Sequence, residues 1–182
     1  VSAWADKYSN LGPTNVTGAQ FYFVEGQTNN PNAFITVRVW AANANGSPGN
    51  ILYSQQVPIS EIEANVTGAG PNSFFITNIN FHQAVAVPTN DFFVGYTLTN
   101  GVAGDTVACA ITENFAGNPS RPNTMWAQFN GTWDSYQNLT NNNSKFSMHI
   151  YPRITSMPPQ AVIQPSASTV CVGDFITFDG SN

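Results

Sequence analysis

Short apolar runs, each bounded by glycine, proline or asparagine, recur along the whole chain. No window of about 11 residues or more repeats its apolar positions with a helical period. The pattern predicts strands at residues 18–24, 33–40, 51–57, 73–81, 91–99, 106–111, 124–129 and 145–151. Short strands at such spacing are typical of β-sandwiches. The predicted fold class is therefore all-β, an antiparallel β-sandwich of jelly-roll type with about eight strands.

Alternation within two of these strands predicts which face is buried, because successive side chains point to opposite faces of a sheet. In the strand at 33–40 the core face carries Ile35, Val37 and Val39, and the opposite face carries Phe34, Thr36, Arg38 and Trp40. In the strand at 145–151 the core face carries Phe146, Met148 and Ile150, and the wetter face carries Lys145, Ser147, His149 and Tyr151. We expect His149 to be exposed.

Local sequence also predicts one tight hairpin and one helical turn. The dipeptide Asn130-Gly131 is a strong signal for a two-residue hairpin, and aromatic residues flank it at Trp126, Phe129 and Trp133. The only helical feature is a single turn at residues 59–63, in which Ser60 and Glu63 have the spacing of a capping box. One turn does not change the all-β class.

The charge content indicates where the protein works. Only 8% of the 182 residues are Asp, Glu, Lys or Arg, against about 25% in a typical soluble domain. We expect a secreted protein, extracellular or at the cell surface, because this composition is common in exported β-proteins. A net charge of −5 and a pI near 4.6 argue against nucleic acid as a partner. No stretch approaches the roughly 18 apolar residues of a bilayer span, so we expect no membrane insertion.

The strand pattern breaks where two adjacent prolines interrupt it. We expect a β-sandwich module at residues 1–155, a linker at 156–160 and a second segment at 161–182. The second segment contains a turn at 170–174 and the run Phe175-Ile-Thr-Phe-Asp-Gly-Ser181, and it resembles the opening strands of a PKD domain, an immunoglobulin-like sandwich. Such domains need roughly 80 to 100 residues. The resemblance therefore implies a truncated copy, in which Cys171 would pair with a cysteine beyond the end.

Residues 1–155 resemble an uncharacterised β-sandwich module of large secreted bacterial proteins that also carry PKD domains and a C-terminal sorting domain. The segments that carry this resemblance are 16–23, 37–40, 49–54, 91–96 and 131–133. The resemblance brings no catalytic residues with it. It implies an accessory module whose partners include adjacent domains of the same chain.

Acidic residues offer little support for catalysis or for a metal. Asp91, Asp105, Glu113 and Asp134 all lie at predicted turns or strand ends, where short acidic side chains serve the local backbone. A structural calcium ion could use three of them, Asp91, Asp105 and Asp134, but the chain has no calcium-loop pattern. We therefore expect no cofactor.

Nucleophile chemistry is not predicted either. The two histidines, His82 and His149, have no nucleophile motif beside them. Cys109 lies in an apolar run and is expected to be a small core residue, not a reactive thiol. The prediction is that the chain is not an enzyme.

Binding of a polysaccharide or of a cell-surface component is the functional hypothesis that the residues favour. Sandwich modules stack exposed aromatic rings on sugar faces and bind the hydroxyls with polar side chains. Both types concentrate around the predicted hairpin, at Phe115, Arg121, Trp126, Gln128, Trp133, Asp134 and Tyr136. The competing interpretation is structural, since Trp126 on a strand is by default a core residue and Trp133 a cross-strand partner. Two alternatives stay open: a structural spacer or docking domain without a ligand, and part of a secreted hydrolase.

Overall fold

The computed structural model describes residues 2–9, 12, 14–68, 75–87, 91–114, 122–140, 145–156, 164–165 and 178–179. Strands dominate these residues and the sheets are antiparallel, which confirms the predicted all-β class. The strands are β1 (Ala3–Ser9), β2 (Thr14–Gln27), β3 (Phe34–Ala42), β4 (Pro48–Pro58), β5 (Ile76–Val87), β6 (Asp91–Thr99), β7 (Thr106–Cys109), β8 (Ile111–Asn114), β9 (Met125–Phe129), β10 (Thr132–Ser135), β11 (Lys145–Met148), β12 (Ile150–Ser156), β13 (Gln164–Pro165) and β14 (Phe178–Asp179). The helices are α1 (Ile59–Gly68) and α2 (Tyr136–Thr140).

One layer of the sandwich is a six-stranded sheet in the order β10-β9-β1-β6-β3-β4. Strand β1, which the apolar pattern did not predict, lies inside this sheet and pairs with β6 on one side and with β9 on the other. Trp4 is opposite Tyr96 in β6 and Ala127 in β9. The N-terminal segment therefore completes the sheet.

The other layer is built around β2, whose 14 residues change partners along their length. Its first part lies between β12 and β5, and its last residues pair with β7. The short strands β8 and β11 form a separate antiparallel pair. Backbone hydrogen bonds connect this pair to β2: the Ala110 amide donates to the Tyr22 carbonyl at 2.8 Å, and the Tyr22 amide donates to the His149 carbonyl at 3.1 Å.

The core lies between the two layers, and the predicted alternation is confirmed. Ile35, Val37 and Val39 are fully buried in β3, and Phe146, Met148 and Ile150 are buried on β11 and at the start of β12. Trp40 is buried as well, although it points away from the aliphatic face of its strand. Its burial shows that the six-stranded sheet carries apolar contacts on both faces.

The hairpin prediction is also confirmed, whereas the helical turn is longer than predicted. Asn130 and Gly131 have φ values of 48° and 83° and connect Phe129 to Thr132, as a type I′ turn requires. Helix α1 spans 10 residues, and its buried residues Ile59 and Ile62 lie one turn apart. Two buried positions give too short an apolar stripe to show a helical period, so the sequence predicts only a single turn here.

The C-terminal segment contributes one short strand pair, β13 with β14. The remaining residues of 161–182, including Cys171, and the linker residues 157–160 lie outside the described residues. Strand β12 runs to Ser156.

Candidate functional site

The structure divides the residues predicted around the hairpin between the two faces of one sheet. Trp126 and Trp133 lie on β9 and β10 and point away from the core. Tyr136 lies on the opposite side, where its ring makes T-shaped contacts with Trp4 and Phe146. Phe115 and Arg121, two further residues of the predicted site, lie outside the described residues.

Trp126 and Trp133 belong to a second hydrophobic cluster, which we call the tryptophan cluster and which also contains Ala5, Trp40 and Phe93. The Trp133 ring lies 5.4 Å from the Trp40 ring, and the Trp126 ring lies 5.9 Å from that of Phe93. Phe93 is 0% exposed and Trp40 is 3% exposed. Both hairpin tryptophans are half-buried and are occupied by packing within the protein.

Trp40 and Trp133 are in contact although their strands are not neighbours in the sheet. Their strands β3 and β10 are four steps apart in the sheet order, which is about 19 Å in a flat sheet. Between them, β1 and β6 pack closely, since a Cβ atom at Gly95 would lie 1.9 Å from the Trp4 carbonyl oxygen. The backbones of β1 and β6 therefore approach as closely as only glycine permits.

The polar side chains of the hairpin, Asp134 and Gln128, form hydrogen bonds within the protein. The Asp134 carboxylate accepts hydrogen bonds from the Ser135 amide at 2.7 Å and from the Asn138 side chain at 2.9 Å. The Gln128 side chain accepts from the Ser2 hydroxyl at 3.1 Å and donates to the Gly131 carbonyl at 3.2 Å. These bonds hold the hairpin and the start of α2 in place.

Two of the other acidic candidates, Asp91 and Asp105, have structural partners. Asp91 forms a 2.7 Å ion pair with Lys7, and this contact lowers the pKa of the Asp91 carboxyl. Asp105 accepts hydrogen bonds from the Val102 amide at 2.8 Å and from the Asn29 amide at 2.9 Å, and these bonds lower its pKa. Within the described ranges, no three His, Cys, Asp or Glu residues come together as a metal site.

Asp6 is a buried carboxyl that sequence reasoning missed, because its strand was not predicted. Its side chain is 4% exposed on the core side of β1. Burial raises the pKa of Asp6 to about 6, against an opposing effect of the Met148 amide, which donates to the carboxylate at 3.1 Å. Burial and the charge of Asp6 raise the pKa of Tyr8 as well.

An aromatic group with one exposed ring lies on the outer face of the second sheet, which is formed by β12, β2 and β5, and we call it the tyrosine face. It consists of Tyr22, His149 and Tyr151, with ring centroids 5.9 Å apart for Tyr22 and His149 and 5.4 Å apart for the two tyrosines. Tyr151 is 49% exposed. His149 is half-buried rather than exposed as expected, because the two tyrosine rings flank it and Thr112 hydrogen-bonds its ring.

Amide side chains continue the tyrosine face across the sheet. Tyr151 is opposite Gln20, and Gln20 is opposite Asn78, so the three side chains form one row across β12, β2 and β5. The Gln20 amide donates to the Asn78 side chain at 3.0 Å. The result is a surface that combines an accessible ring with hydrogen-bonding groups.

Arg153 bounds this surface in the next row. Its guanidinium donates to the Ile79 carbonyl at 3.0 Å and to the Asn80 side chain. It can lie flat across β2 because Gly18 has no side chain, and a Cβ atom there would lie 2.3 Å from the guanidinium. The arginine is thus fixed in the plane of the sheet.

In comparisons with protein-family models, with curated proteins and with solved structures, the chain matches none. Among the described residues, neither helix combines the length and the apolar character that crossing a bilayer requires.

Proposed function

We propose that this chain is a non-catalytic accessory module of a secreted or cell-surface protein and binds a polysaccharide through the tyrosine face. The observation that carries the proposal is the row in which the exposed Tyr151 ring lies beside the hydrogen-bonded amides of Gln20 and Asn78. A sugar presents a C–H face that stacks on an aromatic ring and hydroxyls that bond to amides. Both kinds of group are present side by side on an open sheet.

The tyrosine face suits this function better than the hairpin does. Trp126 and Trp133 pack their rings against Phe93 and Trp40, whereas about half of the Tyr151 surface is open to solvent. The only charged side chain in the rows described is Arg153, which bonds to its own sheet. We therefore propose a neutral polysaccharide as the ligand.

The alternative is a spacer that binds no glycan and packs against neighbouring domains. The tryptophan cluster favours this alternative, because Trp126 and Trp133, which the sequence suggests as sugar-stacking residues, pack within the protein instead. In that case the tyrosine face would be an ordinary half-polar sheet surface.

Pull-down of the full chain on insoluble polysaccharides, together with a glycan array, tests the proposal. We expect selective retention by at least one glycan and a loss of about tenfold or more in affinity for Tyr151→Ala. The matched control is Phe129→Ala, which removes an exposed aromatic side chain (41%) from the hairpin. Retention that depends on Trp133 but not on Tyr151 would move the site to the hairpin. Failure of every glycan to retain the folded protein would favour the spacer.

A further inference from the structure

A cavity of about 240 Å³ lies between the two layers, on the core side of the six-stranded sheet. Its described lining is Trp4, Tyr96, Val107, Ala108, Cys109, Ile111, Met125, Tyr136 and Met148. The inner part is formed by the buried residues Tyr96, Met125 and Met148, whereas Ile111 is exposed. The cavity therefore extends from the core to the surface near β8.

The walls are aromatic and sulfur-rich. Trp4 and Tyr136 form an edge-to-face pair with ring centroids 5.6 Å apart. Met125 and Met148 add two thioethers, which make favourable contacts with aromatic rings. The polar side-chain groups of the lining residues are the hydroxyls of Tyr96 and Tyr136, the Trp4 indole N–H and the Cys109 thiol. Burial raises the pKa of Tyr96 and that of Cys109, the latter to about 12. The described lining is therefore uncharged at neutral pH.

The volume and the lining together define a class of ligand. An apolar cavity of about 150 Å³ inside a protein is known to hold benzene, so this larger cavity has room for two fused rings. A charged ligand would lose part of its hydration and meet no counter-charge in the described lining. A ring is favoured over an alkyl chain because it can contact aromatic edges and sulfur atoms together.

We propose that this cavity binds a small uncharged aromatic molecule of one or two rings. The site is separate from the tyrosine face: it lies on the core side of the first sheet, and the sugar site lies on the outer surface of the second. It does not depend on carbohydrate binding, and either site can exist without the other.

Titration of the full chain with indole, followed by the NMR signals of ¹³C-labelled methionine methyl groups, tests the proposal. We expect the methyl signals of Met125 and Met148, assigned with methionine-to-leucine variants, to shift saturably. Indole-3-acetate has the same ring system and a negative charge, so it should bind at least tenfold more weakly. Cyclohexanol, a saturated ring, should also bind more weakly than indole.

A variant with a filled cavity distinguishes binding in the cavity from non-specific adsorption to the protein surface. Val107→Phe enlarges a lining side chain that packs against the core and should abolish the saturable shift, while Ala86→Phe adds a ring at an exposed position of β5 and should leave it unchanged. If Val107→Phe loses its native near-ultraviolet circular dichroism, Ile111→Trp at the exposed side of the cavity replaces it. Shifts that are absent, that never saturate, or that survive the folded blocking variant would overturn the proposal.

Discussion

Replacing Asp6 by asparagine should change how the stability of the protein depends on pH. The carboxyl is buried on the core side of β1, with the Met148 amide donating to it at 3.1 Å. Asparagine is nearly isosteric, stays neutral at all pH values, and keeps an oxygen that can accept the Met148 hydrogen bond. The substitution therefore removes the titration while preserving the local packing.

The sign and the size of the effect follow from the pKa of Asp6, which burial raises from 3.8 to about 6 in the folded protein. Between these values the folded state binds more protons than the unfolded state, so the free energy of unfolding falls as pH rises. A difference of roughly two pKa units corresponds to about 3 kcal/mol above the folded pKa. Because the asparagine amide must also be buried, we expect a gain of about 1 to 3 kcal/mol at about pH 8 and little change at about pH 4.

Urea unfolding from about pH 4 to about pH 8, followed by tryptophan fluorescence, measures this directly. The parent chain should lose stability across the range, and Asp6→Asn should have a flatter profile. Asp91→Asn is the control: the ion pair with Lys7 lowers the pKa of Asp91, so its contribution is lost only as pH falls below this range. A slope that persists unchanged in Asp6→Asn would refute the assignment to Asp6.

Three further substitutions or reactions test the packing. Gly95→Ala forces a Cβ atom to within 1.9 Å of the Trp4 carbonyl oxygen, so urea unfolding should show a loss of about 3 kcal/mol or more. Trp133→Ala removes a ring from the tryptophan cluster and should cost about 1 to 3 kcal/mol in the same assay; unchanged stability would contradict the packing role. In a Cys171→Ser background, Cys109, whose pKa burial raises to about 12, should react with a thiol reagent at neutral pH at least about tenfold more slowly in the folded chain than in urea.

Features that depend on neighbours in the chain could be predicted from the sequence. The buried side of β3 follows from the alternation of Ile35, Val37 and Val39, because one strand face must be apolar to be buried. The Asn130-Gly131 turn follows from the positive φ values that a two-residue hairpin requires. These signals involve only residues that are close in the sequence, so they can be recognised without knowing the fold.

Strand β1 could not be found in this way. Ala3 and Ala5, on its outer face, are small. On its inner face the aromatic Trp4 is followed by the acidic Asp6, so no apolar run marks the strand. It is a strand because β6 and β9 bind it on both edges. Asp6 is buried because β1 is paired on both edges, and this burial raises its pKa.

The sequence by itself determined the all-β class, the inward faces of two strands and the hairpin, since strand alternation and turn dihedrals act over a few residues. Only the tertiary structure decided which surfaces could have a function. It placed Trp126 and Trp133 in the tryptophan cluster, against Phe93 and Trp40, and it paired β12 with β2 so that Tyr151 lies opposite Gln20. Pairing between distant strands depends on the whole core, because the register of each strand is set by the side chains that all its neighbours must bury together.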